Sequence, residues 1–293
     1  MQPEIECAVR GGDVLGEAPL WDERSKRLWW IDVRRPVIQC YDPASAKHFA
    51  VRLSSEMTVG SIALREAGDF ALATNSGLYA YDPENTQPPR LLANPEAPGI
   101  RLNDGRCDRR GRFWVGSMKD GMPRTAAGNF FRIDPDLSAH HQFGGVYLPN
   151  SVAFSTDNRT LYFADTHYAI IWAFDFDLDD GVISNRRVFQ DLSQGPGLPD
   201  GSTVDADNCL WNAVLMTGEL VRYTPQGKVD RCIKLPVTHA TCPAFGGNDL
   251  STIYVTSHTQ RMSAEEVARD PLGGSLFAVR AGVQGLPEAR FKG

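Results

Sequence analysis

A unit that repeats every forty-odd residues constrains this chain more tightly than any other feature. Apolar and aromatic pairs, Leu28-Trp29, Phe70-Ala71, Phe113-Trp114, Leu161-Tyr162, Leu210-Trp211 and Ile253-Tyr254, follow one another at intervals of 42, 43, 48, 49 and 43 residues. Each copy has the same internal order. An apolar run such as 151–154 is followed by a polar turn, 155–159, and by a second strand rich in aromatic and β-branched residues, 160–164. A third strand then ends in a repeated turn signal: Tyr41-Asp42-Pro43, Tyr81-Asp82-Pro83 and Ile133-Asp134-Pro135. There the Asp side chain bonds local backbone and Pro fixes φ at the next position. A fourth strand follows, as at 186–189 and 229–235. Short strands and tight turns at this period predict an all-β fold, a six-bladed β-propeller of four-stranded antiparallel blades, filling residues 1–293 as one domain.

Three segments break the pattern. Ser263 followed by Glu266 has the spacing of a helix capping box, predicting one decorating helix on the sixth unit. The Pro-rich piece 87–98 and the segment 119–128 read as excursions between strands, the second placed to fold over one end of the propeller.

Composition narrows the class of partner. Thirty basic against 36 acidic residues, with no run of Lys or Arg, speak against nucleic acid. The six cysteines are scattered, without a CxxC pair or a His at zinc-finger spacing, and so read as reduced thiols in a cytoplasmic protein. Residues 1–13 lack the basic start and apolar core of a secretory signal, and no apolar run reaches the ~20 residues of a membrane span. The expectation is a soluble monomer or weak homo-oligomer acting on a small molecule.

Function is sought where the copies share a polar residue. Glu17, Asn103, Asn150 and Asp200 stand at similar places at the starts of units one, three, four and five. In a propeller these starts converge on the central channel. Two carboxylates facing each other repel unless a cation or proton lies between them, and a divalent ion with oxygen ligands resolves this. Taken singly, Asn103-Asp104-Gly105 and Pro199-Asp200-Gly201 are ordinary turn sequences, Glu17 a solvated strand end and Asn150 a turn cap. Their recurrence in register weakens these separate explanations. His167 reads as a strand aromatic rather than a base, and Trp29, Trp30, Trp114, Trp172 and Trp211 as packing between blades. Neither a GxSxG elbow nor an HExxH pair is present, so a serine-triad hydrolase or His-ligated zinc protease has little support.

Gly16-Glu17-Ala18-Pro19-Leu20-Trp21, Arg101-Leu102-Asn103-Asp104-Gly105, Gly111 through Met118, Leu148-Pro149-Asn150-Ser151 and Pro199-Asp200-Gly201 occur in this order. Cys242 through Gly247 and Pro271 through Phe277 follow them. Together these segments resemble the senescence marker protein-30/gluconolactonase/luciferin-regenerating-enzyme family over almost the whole chain. The resemblance implies one divalent cation held by Glu17, Asn150 and Asp200, substrate contacts from Arg101 and Asn103, and hydrolysis of sugar lactones. Animal members carry a substrate-contacting Glu shortly after the segment ending in Met118. This chain reads Lys119-Asp120-Gly121 there, so either Asp120 contacts the substrate instead or the substrate differs.

The ion would polarise the lactone carbonyl and activate water, with Asp200 as candidate base and Arg101 and Asn103 stabilising the oxyanion. Oxygen ligands favour Ca, Mg, Mn or Fe(II), with Zn also open. A broader esterase or phosphotriesterase and a non-catalytic calcium-binding regulator are the alternatives.

Overall fold

The structure is a computed structural model and describes residues 3–85 and 87–293. Six four-stranded antiparallel sheets stand around one axis, as the repeat predicts. Their innermost strands are Gly16–Asp22, Val59–Leu64, Ile100–Cys107, Pro149–Phe154, Leu198–Val204 and Ala240–Gly246. Each innermost strand packs on the next, and the last packs on the first.

Burial falls from the axis outward, which is why the strands differ in composition. Val59–Leu64 is buried on both faces and is almost wholly apolar, whereas the outer strand Lys47–Arg52 is exposed and charged. Apolar faces of adjacent blades meet, as where Trp211, Ala213 and Leu220 pack on Phe245, Ile253 and Phe277. Two of the tryptophans have a second role. Trp114 and Trp211 donate from Nε1 to the turn carboxylates of Asp108 and Asp205, each at 2.8 Å, and Arg112 and Arg222 pair the same carboxylates. A buried indole thereby keeps its hydrogen bond while tying the first turn of a blade to its second strand.

Closure of the ring uses both ends of the described chain. Glu4–Val9 pairs with Leu276–Arg280 and completes the sixth sheet, which otherwise comes from Ala240–Gly246 and Thr252–Ser257. A repeat counted along the chain does not announce this strand, because its partners lie some 270 residues away. The tail 282–293 crosses the end of the ring formed by the first turns of the blades. There Gly285 bridges Asp205, Arg106 meets Glu288 at 2.9 Å, and buried Phe291 packs on Phe113.

One sequence expectation needs correction. The Pro-rich piece 87–98 is not simply an excursion, since Arg90–Ala93 within it is the outer strand of the second blade. Pro88 and Pro89 precede this edge strand, where a missing N–H breaks no ladder. The segment after Lys119 does loop out at the mouth, and Ala264–Arg269 is a helix with the expected capping box. All six cysteines are free thiols.

Candidate functional site

The innermost strands share a defect. Their ladders slip between Glu17 and Leu20, Leu102 and Gly105, Asn150 and Ala153, and Pro199 and Ser202. A bulge adds a residue and re-aims the side chain beside it, here toward the axis. Its backbone demands explain the small residues that follow Glu17, Asn150 and Asp200. Ala18 and Ser151 take left-handed φ values of 48° and 58°. At Gly201 a Cβ would come within 2.3 Å of Cys242 Sγ. The bulges bring Glu17, Asn103, Asn150 and Asp200 to one cavity of about 330 Å³, together with Arg101, Thr166 and His167.

The floor of this cavity is unbalanced in charge. Burial, and then the neighbouring Asp104 carboxylate, push Glu17 up to about 8. Burial, Glu17 and Asp104 push Asp200 well above the usual carboxylate range. Asp104, itself raised by burial, takes the bulge position of the third blade, and its Oδ2 accepts from Val152 N at 2.9 Å. Neither Glu17 nor Asp200 has a basic side chain in ion-pair contact among the described residues.

The amides beside them are fixed. Thr166 Oγ1 donates to Pro199 O and accepts from Asn150 Nδ2, both at 2.7 Å, so the Asn150 carbonyl oxygen is turned inward. Asn103 Nδ2 donates to Pro149 O at 2.8 Å and to that inward oxygen at 3.2 Å. Among the described residues no three His, Cys, Asp or Glu side chains gather as a metal cluster. The donors available are two carboxylates and one oriented amide oxygen. Two buried carboxylates without an ion-pair partner, next to a fixed carbonyl oxygen, suit a hard divalent cation.

Arginines line the cavity as well. Arg101 is almost wholly buried, and Nη1 donates to Asn103 Oδ1 at 2.6 Å and to Leu102 O at 3.0 Å. Burial lowers its pKa to about 10, with Arg34 and Arg124 adding to the fall and Asp120 opposing it. Arg101 therefore stays charged at neutral pH. Asp120 does not line the cavity; it stands 3.4 Å from Arg34 Nη1 and 3.5 Å from Arg101 Nε. The second contact lacks hydrogen-bond alignment, which leaves the buried Arg101 N–H free. Although burial works against it, these two guanidinium groups hold the Asp120 carboxyl below its usual range.

Five of the six residues singled out from sequence thus share one cavity, and Asp120 stands beside two of its arginines. Sequence reasoning missed Arg34, Arg124, His258, Gln260 and Arg261, which also line it. A signal for one of them existed. Asp32 ends the second strand of blade one and accepts from Val14 N and Leu15 N, while Asp165 in blade four accepts from Tyr147 N and Leu148 N. Two residues beyond each lie Arg34 and His167, so aligning the two Asp residues finds both at the mouth. His167 is accordingly a residue of the cavity wall, in a short 3-10 turn and stacked on Tyr147 at 4.0 Å, rather than a strand aromatic.

Comparison with known proteins agrees with this architecture. Residues 15–259 match the SMP-30/Gluconolactonase/LRE-like region. A 6-deoxy-6-sulfogluconolactonase of Pseudomonas putida is 37% identical over the full length of both chains. Regucalcin of Xenopus laevis is 33% identical over 99% of each. Among solved structures, a calcium-binding protein, regucalcin, of Agrobacterium tumefaciens superposes with a TM-score of 0.93. It is 28% identical to this chain, and the match covers 99% of this chain and 98% of the other.

Proposed function

The chain belongs to the SMP-30/gluconolactonase/LRE-like family, and on that premise we propose that it is a lactonase. In this reading it hydrolyses a sugar lactone to the aldonic acid with one divalent cation, as a single domain serving sugar catabolism. The observation that carries the reading is the Glu17 and Asp200 carboxylate pair. It is buried without a basic partner, beside the inward oxygen of Asn150, at the floor of a cavity large enough for a sugar ring. The names of the relatives, a sulfogluconolactonase among them, support the same chemistry.

Glu17, Asn150 and Asp200 would hold the cation, one of Ca, Mg, Mn, Fe(II) or Zn, since oxygen donors admit each of them. When bound, the ion polarises the lactone carbonyl and makes water more acidic. Asp200 takes a proton from the attacking water as its oxygen bonds to the carbonyl carbon. The bond from that carbon to the ring oxygen then breaks, and Asp200 returns the proton to the ring oxygen, which leaves as a hydroxyl. Arg101 presents its charge chiefly to the ring hydroxyls and in part to the oxyanion, with Asn103 beside it. Asp120 acts through Arg101, holding the guanidinium from behind.

A second reading, a calcium-binding regulator without turnover, draws on the regucalcin relatives and on the same carboxylate pair. An aldonolactone panel decides between them, run on chelated protein and after adding back single metals, with paraoxon and an aryl ester as controls. Metal-dependent lactone hydrolysis well above the rate on the controls is expected. Metal binding without turnover of any lactone would transfer the site to the regulator, and faster hydrolysis of paraoxon would make it a phosphotriesterase.

A further inference from the structure

Four guanidinium groups, those of Arg34, Arg101, Arg124 and Arg261, line the one cavity, and among the described residues the carboxylate in ion-pair contact with any of them is Asp120. Asp120 is already shared between Arg34 and Arg101. With its amide oxygen turned toward Arg34, Gln260 accepts from Nε at 2.7 Å and from Nη2 at 3.1 Å, so Arg34 is pinned from two sides. Arg124 and Arg261 are not. The polar contact of Arg124 is a long one, 3.9 Å to Met118 Sδ, and among the described residues Arg261 makes no ion pair. Burial lowers the pKa of Arg124, and Arg261 and Arg34 lower it further, with Asp120 and Asp165 opposing them from beyond ion-pair contact. The cavity therefore has two poles. Its floor of Glu17 and Asp200 is neutralised when a divalent ion binds, and an uncompensated positive charge stays at the mouth.

An uncharged sugar lactone would leave that charge unused. Its hydroxyls are served by Arg101 and Asn103, and nothing in lactone hydrolysis requires three further cations. The carboxylate of the product forms at the floor, so it does not neutralise the mouth either. Guanidinium groups held partly out of water bind oxyanions through paired, charge-assisted hydrogen bonds. With the lactone carbonyl at the floor, the end of the sugar remote from it faces Arg124 and Arg261.

We propose that the lactone accepted here carries a negatively charged group, a sulfonate, phosphate or carboxylate, at the end remote from its carbonyl, and that Arg124 and Arg261 bind it with Arg34 in support. This substrate class rests on the lactonase reading above.

The metal-loaded enzyme is assayed at low ionic strength on four lactones. Glucono-1,5-lactone is the uncharged arm; 6-phosphogluconolactone, 6-deoxy-6-sulfogluconolactone and glucarolactone are the phosphate, sulfonate and carboxylate arms. At least one anionic lactone should exceed the uncharged one in kcat/KM by about tenfold or more, the worth of one or two charge-assisted hydrogen bonds. Arg124→Gln and Arg261→Gln should each shrink that ratio, Arg→Lys at the same positions less so, and added salt should narrow it. In the unaltered enzyme, 6-phosphogluconate should inhibit gluconolactone hydrolysis about tenfold more tightly than gluconate for the same reason; this holds whether or not the variants fold. Equal inhibition by the two acids overturns the proposal. So do anionic lactones hydrolysed no better than the uncharged one, or a preference that folded variants at both arginines leave intact. Absence of turnover on every lactone overturns the lactonase reading itself, and this inference falls with it.

Discussion

Asn150 contributes through the orientation of its amide, and that orientation depends on Thr166. Because Thr166 Oγ1 spends its proton on Pro199 O, it can only accept from Asn150 Nδ2, which leaves the amide oxygen turned into the cavity beside Asn103 Nδ2. Thr166→Val keeps the shape but removes the acceptor. Its cation affinity should fall by about 10- to 100-fold, as is usual when the group orienting a ligand is lost. Turnover should recover at saturating metal, and a titration of activity against free metal separates the two effects. Asp200→Ala removes ligand and base together, so bound metal by elemental analysis and lactone hydrolysis should both be lost, the second by at least about 10²-fold. A folded variant with full activity would end the assignment. Arg101→Ala should act chiefly on KM, because its guanidinium is held toward the ring hydroxyls by Asn103 and Leu102. KM measured across several aldonolactones checks this, and an unchanged profile removes the substrate role.

The bulges in the innermost strands make the site readable at the scale of the element. Every copy interrupts its ladder at the same point, so residues far apart in sequence acquire the same orientation and align when the copies are aligned. Glu17, Asn103, Asn150 and Asp200 were legible for that reason. Arg34 was legible only through the match of Asp32 with Asp165, and Arg124 and Arg261 were not, since they sit on loops whose lengths differ between blades and which carry no period. Arg90–Ala93 was hidden by its prolines, and Glu4–Val9 by pairing with the far end of the chain. The bulge also predicts where substitutions are costly. Ser151 has a φ of 58°, and its hydroxyl donates to Asp200 O and accepts from Asn212 Nδ2 at 3.1 Å. Ser151→Val places a β-branched residue in the left-handed region and removes the hydroxyl to which both Ser202 Oγ and Asn212 Nδ2 donate. It should cost about 2–4 kcal/mol in denaturant unfolding. Ser151→Gly, which relieves the backbone and loses only the hydroxyl, should cost less. Equal losses for the two would show that backbone strain at the bulge is unimportant.

At the scale of the whole molecule, closing the ring forces like charges together, and that coupling should be visible in how stability depends on pH. In the metal-free protein Glu17 is raised to about 8 and Asp200 is raised as well, mainly by burial and then by nearby carboxylates. Unfolding returns both to ordinary carboxylate values near 4. From that value up to about pH 8, the folded chain keeps protons that the unfolded chain has released. The contribution of this pair to stability therefore falls as pH rises through this window, by up to about 1.4 kcal/mol per pH unit for each proton so held, while His48, His239 and His258, lowered mainly by burial, act the other way up to about pH 7. Asp13 is raised to about 6 by burial and acts in the same direction, but its contribution is complete below neutrality and it lies apart from the cavity. The test belongs between pH 6.5 and pH 8.5. Tm of the chelated protein should drop across this interval, and a divalent ion, which takes the place of the protons, should raise Tm more at the upper end than at the lower. Glu17→Gln with Asp200→Asn leaves neutral amides in the floor, and should flatten the pH profile and abolish the metal effect together. A chelated protein whose Tm is level over this range, or an ion that stabilises equally at both ends, would mean that the two carboxylates do not share one buried field. The idea that the propeller holds them out of contact with any basic side chain until a cation arrives would then have to be given up.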